Sequence, residues 1–266
     1  MLRSVLLKAL FDQRRTLLAW AVSFAALEAM YMSFWPSIRD LPTFSDYLDQ
    51  MPEVLRNLFA MSGADMSTPV GYVQIELFAF MGPILVLLYT IGAGANAIAG
   101  EEDSRTLDLL LAQPVSRTRI VLEKLGAMVI GAAVLGAVAA LTFLVLGPAF
   151  ELHVDGDKIA AALTHLVLLG LVFGALALAV GSATGRPGLA KAVAGVAAVA
   201  AYVVNGLAPL VDWLEPVQRV SPFYQYGAHD PLRNGISAGG AAVAIGTVVV
   251  LAAIAVLTFR RRDVAG

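Results

Sequence analysis

The chain has 266 residues, of which 59% are hydrophobic and only 14% charged, with no cysteine and a formal net charge of -2. Soluble domains hold roughly 45–50% apolar and about 25% charged residues, so a water-soluble globule is excluded. Disulfides, thiolate metal sites and a cysteine nucleophile are excluded as well, and no basic surface for nucleic acid is expected.

The first twenty residues place Leu2, Val5, Leu6, Ala9 and Leu10 at helical spacing among Arg3, Lys8, Asp12, Arg14 and Arg15. This pattern predicts an amphipathic interfacial helix over 1–16 that turns into the first membrane span. No apolar core followed by a small-residue cleavage site marks a signal peptide there.

Crossing about 30 Å of hydrocarbon takes about 20 apolar helical residues. Six stretches qualify: Leu17 to Trp35, Gln74 to Ala97, Leu125 to Phe150, Ile159 to Ser182, Ala190 to Val211 and Gly239 to Phe259. They are continuous rather than alternating, so helices are expected and not barrel strands. The predicted fold is an all-α integral membrane protein with six transmembrane helices in one transmembrane domain, 1–266. Trp20 and Trp35 bracket the first span, where headgroup-level rings are expected.

The polar segment 36–73 carries Phe44, Tyr47, Leu48 and Met51, then Leu55, Leu58 and Phe59 after Pro52. That spacing predicts one or two short surface helices. Segment 212–238 mixes Pro216, Pro222 and Pro231 with Trp213, Phe223, Tyr224 and Tyr226, which predicts a short interfacial or re-entrant element. Within the spans, Gly170 and Gly174 form GxxxG, and Ala132, Gly136 and Ala140 form a second row of small residues.

Thirteen of the 18 Lys and Arg residues fall on the side of the two termini, against five on the other side. By the positive-inside rule both termini are expected in the cytoplasm, and with them the stretch 100–120, GEEDSRTLDLLLAQPVSRTRI. Between Ser104 and Pro114 there is room for about 15 Å of helix, half a bilayer, so this segment cannot span. Ser104 or Thr106 is placed to cap it and Pro114 to end it, while Ser116 caps the next helix. Leu107, Leu110 and Leu111 form one apolar stripe. Two readings stay open from spacing alone. The loop packs on the protein's own inner ends, or it is a knob that docks in a groove on a soluble partner.

The stretch AIAGEEDSRTLDLLLAQPVSRTRIVLEK closely resembles the signature of ABC-2 type permeases, the membrane subunits of bacterial ABC exporters. The matching features are the acidic pair, Thr-Leu, the leucine run, Pro-Val-Ser-Arg and the closing Lys. The amphipathic start, TPVGY at Thr68 to Tyr72, six spans and SPFY agree less sharply. The chain departs at Ser104-Arg105, where the family pattern leads one to expect Gly.

The resemblance implies a coupling helix between spans two and three that contacts a separate ATP-binding subunit. Glu101, Glu102, Arg105, Thr106, Leu107, Leu110, Leu111, Pro114, Arg117 and Arg119 are then the candidate docking residues. It also implies a second permease copy or a related permease, residence in the bacterial inner membrane, and ATP and Mg on the partner with no cofactor on this chain. No GxxxxGK[ST] phosphate loop is present, and the nearest Gly-rich stretch, GSATGRPGLAK, misplaces its Lys.

Polar residues inside the spans are the candidate pathway: Glu28, Glu76, Asn96 and Asn205. A carboxylate at the bilayer centre costs at least about 2.5 kcal/mol, so Glu28 either faces a cavity or is a buried acid that fixes helix packing. The competing function is an ion-gradient-driven secondary transporter, which would favour inverted repeats and several intramembrane charges. An intramembrane protease fits less well, since EEDSR is one residue short of EExxxR and no His pair has zinc spacing.

Overall fold

The computed structural model describes residues 4–39, 51–58 and 65–262, and these are helical apart from short turns. Six helices are long and apolar enough to cross a membrane: α1 (Val5–Ile38), α3 (Pro69–Ala97), α6 (Arg117–Leu146), α7 (Gly156–Thr184), α8 (Pro187–Leu210) and α12 (Ala238–Arg261). Short helices join them. These are α2 (Glu53–Leu58), α4 (Ala99–Asp103), α5 (Leu107–Leu111), α9 (Glu215–Gln218), α10 (Pro222–Gly227) and α11 (Pro231–Asn234). The six expected spans are present, and all six helices begin earlier than hydropathy alone marks them, because their flanks continue the helix.

Helix starts follow local chemistry. Ser4, Thr68, Ser116 and Ser237 each accept a backbone N–H of the first turn of α1, α3, α6 and α12. In TPVGY, Thr68 is the cap and Pro69 opens the helix. The Tyr72 hydroxyl donates to the Tyr31 carbonyl of α1 at 2.7 Å. A Cβ on Gly71 would sit 2.0 Å from the Asp65 carbonyl oxygen, so only glycine fits that turn.

The helix α7 is the centre of the bundle, with 72% of its most apolar window buried. Its most extensive contacts are with α3 and α12. The GxxxG row lies on the α3 face: a Cβ on Gly94 would meet the Gly174 carbonyl oxygen at 2.0 Å, and one on Gly170 would meet Val86 at 2.9 Å. Gly136 of the second small row receives Val167 of α7, with 2.8 Å to a would-be Cβ. Both rows therefore mark close helix crossings.

Two expectations need correction. No separate interfacial helix precedes the first span, because α1 runs unbroken for 34 residues, about 51 Å. Nothing between Val5 and Trp35 breaks it, and its first turns are bonded to α6: the Leu6 N–H to Glu123 at 2.7 Å and the Gln13 side chain to the Ala127 carbonyl at 3.1 Å. Trp35 does not present its ring on the outer surface of the bundle, as a ring in contact with headgroups would. It is buried at 3% exposure against Tyr72, with ring centroids 5.2 Å apart.

Of the predicted surface helices, α2 follows Pro52 and packs on α8. Phe44, Tyr47, Leu48 and Phe59 lie outside the described residues, as do Leu2 and Arg3. Segment 212–238 folds as broken short helices. Ser221 caps α10 and Phe223 is buried between Phe173 and Tyr202.

Within α3, Gln74–Met81 is π-helical. The Gly82 N–H bonds Leu77, and residue 83 is proline, so the Phe78 carbonyl has no helical donor. The Tyr226 hydroxyl supplies one at 2.7 Å. Such a bulge frequently marks a functional site.

Candidate functional site

The loop between α3 and α6 lies at the end of the bundle that also carries Ser4, Gly185 and Arg262, here called the terminal end. Arg105 turns the chain from α4 into α5 with φ 57°, in the left-handed region. This is the position where the sequence pattern leads one to expect glycine, and a side chain there costs roughly 1–2 kcal/mol.

Of the two readings left open for the leucine stripe, Leu107 and Leu110 take the inward one. Leu107 and Leu110 are 2% and 7% exposed, packed in one cluster with Val5, Ile120, Leu178 and Phe259. An apolar i, i+3 pair on a five-residue helix gains more by closing over the terminal ends of α1, α6, α7 and α12 than by facing outward. The exposed leucine is Leu109, at 70%, and Leu111 is half-buried. In the same stretch, Asp103, Arg105, Asp108, Gln113, Pro114 and Arg119 are exposed. Sequence reasoning missed Leu109, since the stripe was drawn through its neighbours.

The acidic pair also turns inward. Lys124 donates to Glu101 at 2.5 Å, Lys8 stands 3.6 Å from the same oxygen, and the Thr106 hydroxyl donates to the Glu101 carboxylate. Thr106 therefore stands at the cap position of α5 but spends its hydroxyl on Glu101 and makes no side-chain cap. Burial raises the Glu101 pKa, but the hydrogen bonds from Lys124 and Thr106 and the charges of Lys124 and Lys8 outweigh it. The carboxyl is held below its ordinary value.

Glu102 pairs with Arg262, whose guanidinium also donates to the Ser182 carbonyl at 3.2 Å. Gly185, φ 69°, closes α7 against this pair, and a Cβ there would lie 2.5 Å from the Glu102 carboxylate. Arg117 donates to the Phe259 and Arg262 carbonyls at 2.9 and 2.6 Å. Arg119 pairs with Glu123 at 2.6 Å on the rim. Of the ten docking candidates, Glu101, Glu102, Thr106, Leu107, Leu110 and Arg117 brace the loop from within, while Arg105, Pro114 and Arg119 stand on its outer side.

The four pathway candidates are not brought together. Glu28 is 6% exposed and one of its oxygens is without a hydrogen bond. It faces a pocket of about 20 Å³ walled by Phe24, Leu77, Phe78 and Leu166, room for a single water and not for cargo. Glu76 sits half-buried on the π-helical segment. Asn96 lines hollows at the terminal end.

Asn205 lines a cavity of about 310 Å³ near the opposite end. Its carbonyl accepts from Gln218 at 3.1 Å. Phe78, Tyr202, Phe223, Tyr224 and Tyr226 form the aromatic wall, and the Gln74 side-chain oxygen is buried without a partner. The broken helix and the aromatic run of segment 212–238 build this cavity, yet Gln74 carried no signal beyond being an amide in an apolar span. Among the described residues no group of His, Cys, Asp and Glu is placed to hold a metal ion.

The family model for ABC-2 family transporter protein matches residues 3–264. No curated protein matches the chain closely enough to count as a relative.

Proposed function

Since the chain belongs to the ABC-2 family of transporter membrane proteins, we propose that it is the permease subunit of an ATP-driven exporter, with both termini in the cytoplasm. It docks a separate ABC ATPase, which holds ATP and Mg, through the outer side of the loop around Leu109. It pairs with a second permease copy around the transport pathway and hydrolyses no ATP itself.

The observation that carries this reading is the division of labour in the loop. An exposed leucine, on a loop that also exposes Arg105, Asp108 and Arg119, has the makeup of an apolar anchor with charges that set register. Directly behind it, Glu101 ties the loop to α1 and α6, and Glu102 ties it to α12. A push on α5 therefore reaches three spans through two ion-paired carboxylates, and α3 through the chain itself. Closure of the ATPase on ATP would shift these inner ends as a unit. The aromatic cavity beneath segment 212–238, with Gln74 and Asn205 as its polar groups, is the proposed release side of the pathway, suited to an apolar cargo with a few hydrogen-bonding groups. Glu28 keeps a packing role.

The test is copurification from the native membrane. Leu109→Glu is expected to insert and fold as the parent does but to lose a stoichiometric chain carrying GxxxxGK[ST]. Retention of that chain by Leu109→Glu overturns the docking assignment.

A further inference from the structure

At the terminal end two adjoining hollows lie between α1 and α3. The deeper one, about 350 Å³, is lined by Gln13, Thr16, Trp20, Tyr89 and Gly92. The outer one, about 500 Å³ and more open, is lined by Lys8, Lys191, Asp103, Ser104 and Thr106. Asp12, Asn96 and Glu101 line both, so the two form one continuous groove.

The groove is graded along the bundle. From Asp12 to Trp20 on α1, and from Asn96 to Leu88 on α3, the lining passes from charged to aromatic and aliphatic over about 12 Å of helix. Leu88, 59% exposed, lines its flank. At its deep end Tyr89 is 4% exposed, and its hydroxyl is packed against Gly131 of α6, 1.8 Å from where a Cβ on that glycine would sit. Gly92 leaves the groove open, since a Cβ on it would meet nothing within 4 Å.

The charges balance. Lys8, Lys124 and Lys191 face Asp12, Asp103 and Glu101. Lys124 and Glu101 neutralise each other, and Lys8 stands 3.6 Å from both Asp12 and Glu101. Lys191 and Asp103, which line the outer hollow, have no oppositely charged side chain within 4.0 Å among the described residues. One uncommitted charge of each sign beside an apolar slot matches a zwitterion on an acyl chain. We infer that this groove binds one phosphatidylethanolamine from the adjacent leaflet, its phosphate at Lys191, its ammonium at Asp103, and one chain leaving past Trp20 and Leu88. This goes beyond the exporter reading and does not depend on it.

The test uses the full chain in nanodiscs and a phosphatidylethanolamine with a photoactivatable diazirine in its acyl chain. Adducts are expected within 12–20 and 88–97, to be competed away by unlabelled phosphatidylethanolamine and not by phosphatidylglycerol. They are lost in Gly92→Phe, which fills the groove, while labelling of the lipid-facing sides of α6 and α12 and the thermal unfolding profile stay as in the parent. Three results overturn the inference: labelling spread evenly over all lipid-facing helices, groove adducts that survive Gly92→Phe, or equal competition by phosphatidylglycerol. A disulfide between two copies of Gly92→Cys, in a chain with no other cysteine, would make the groove a subunit contact and overturn it too.

Discussion

The Lys124 ammonium lies 2.5 Å from the Glu101 carboxylate, and both side chains are nearly sealed from solvent, at 11% and 12% exposure. Removing one member of such a pair strands the other, which costs about 3–5 kcal/mol for a buried pair. Lys124→Ala is therefore expected to lower thermal stability strongly. Glu101→Gln, which keeps the shape and can still accept from Thr106 and Lys124, costs less. In the proposed complex, Glu101→Gln keeps the ATPase bound but weakens the coupling of ATP hydrolysis to transport. Thermal unfolding, copurification and substrate-stimulated ATPase activity read the three effects separately.

The same carboxyl sets a pH dependence. Its pKa in the folded chain is depressed, so its contribution to stability is present above the unfolded value, about 4.3 for Glu. That contribution is lost as pH falls through the lower folded value. Thermal unfolding followed from pH 7 downward is expected to show a loss below about pH 4.3 that is smaller in Glu101→Gln. An identical acid profile for parent and variant contradicts the assignment.

Adjacent leucines are expected to behave oppositely. Leu109→Ala leaves stability within about 0.5 kcal/mol, as exposed substitutions do. Leu110→Ala removes a buried side chain and costs about 2–5 kcal/mol. Denaturation of the two variants in the same detergent checks the pair, and equal losses would mean that α5 is rotated from its place here.

Arg105 holds a left-handed backbone at φ 57°. Arg105→Gly is expected to stabilise the turn by about 1 kcal/mol, seen as a raised unfolding temperature. If the guanidinium contacts the partner, the same variant weakens copurification while it stabilises the isolated chain.

Close helix crossing makes Gly94→Ala costly, because its Cβ would fall on the Gly174 carbonyl oxygen. Overpacking of this kind typically costs about 1–3 kcal/mol. Gly92→Ala, one residue pair away on the open face, is expected to be neutral or slightly stabilising, since alanine favours helix.

The spans were legible because each is a long apolar run, a signal that length alone makes specific. The place of the docking loop was legible for the complementary reason, that ten residues before Pro114 are too short to cross. Its orientation was not. Leu107, Leu109, Leu110 and Leu111 cover most of the circumference of a one-turn helix, so only packing against Val5, Ile120 and Phe259 decides which leucine is left outside. The continuity of α1 was hidden because a charged run from Asp12 to Arg15 suits an extended helix as well as an interfacial one. The π-helical segment at Gln74–Met81 was equally hidden, since it depends on a hydroxyl, Tyr226, from 148 residues away.

The central claim is that the outer side of α5 meets an ATPase. The chain has no cysteine, so Leu109→Cys gives a unique attachment point for a short photo-crosslinker, applied in native membranes and followed by mass spectrometry. The account predicts one dominant crosslinked partner, a soluble chain carrying GxxxxGK[ST], and its disappearance when Asp108→Lys and Arg105→Glu reverse the charges on the same loop. Crosslinks confined to lipid, or to a second copy of the chain, would contradict it.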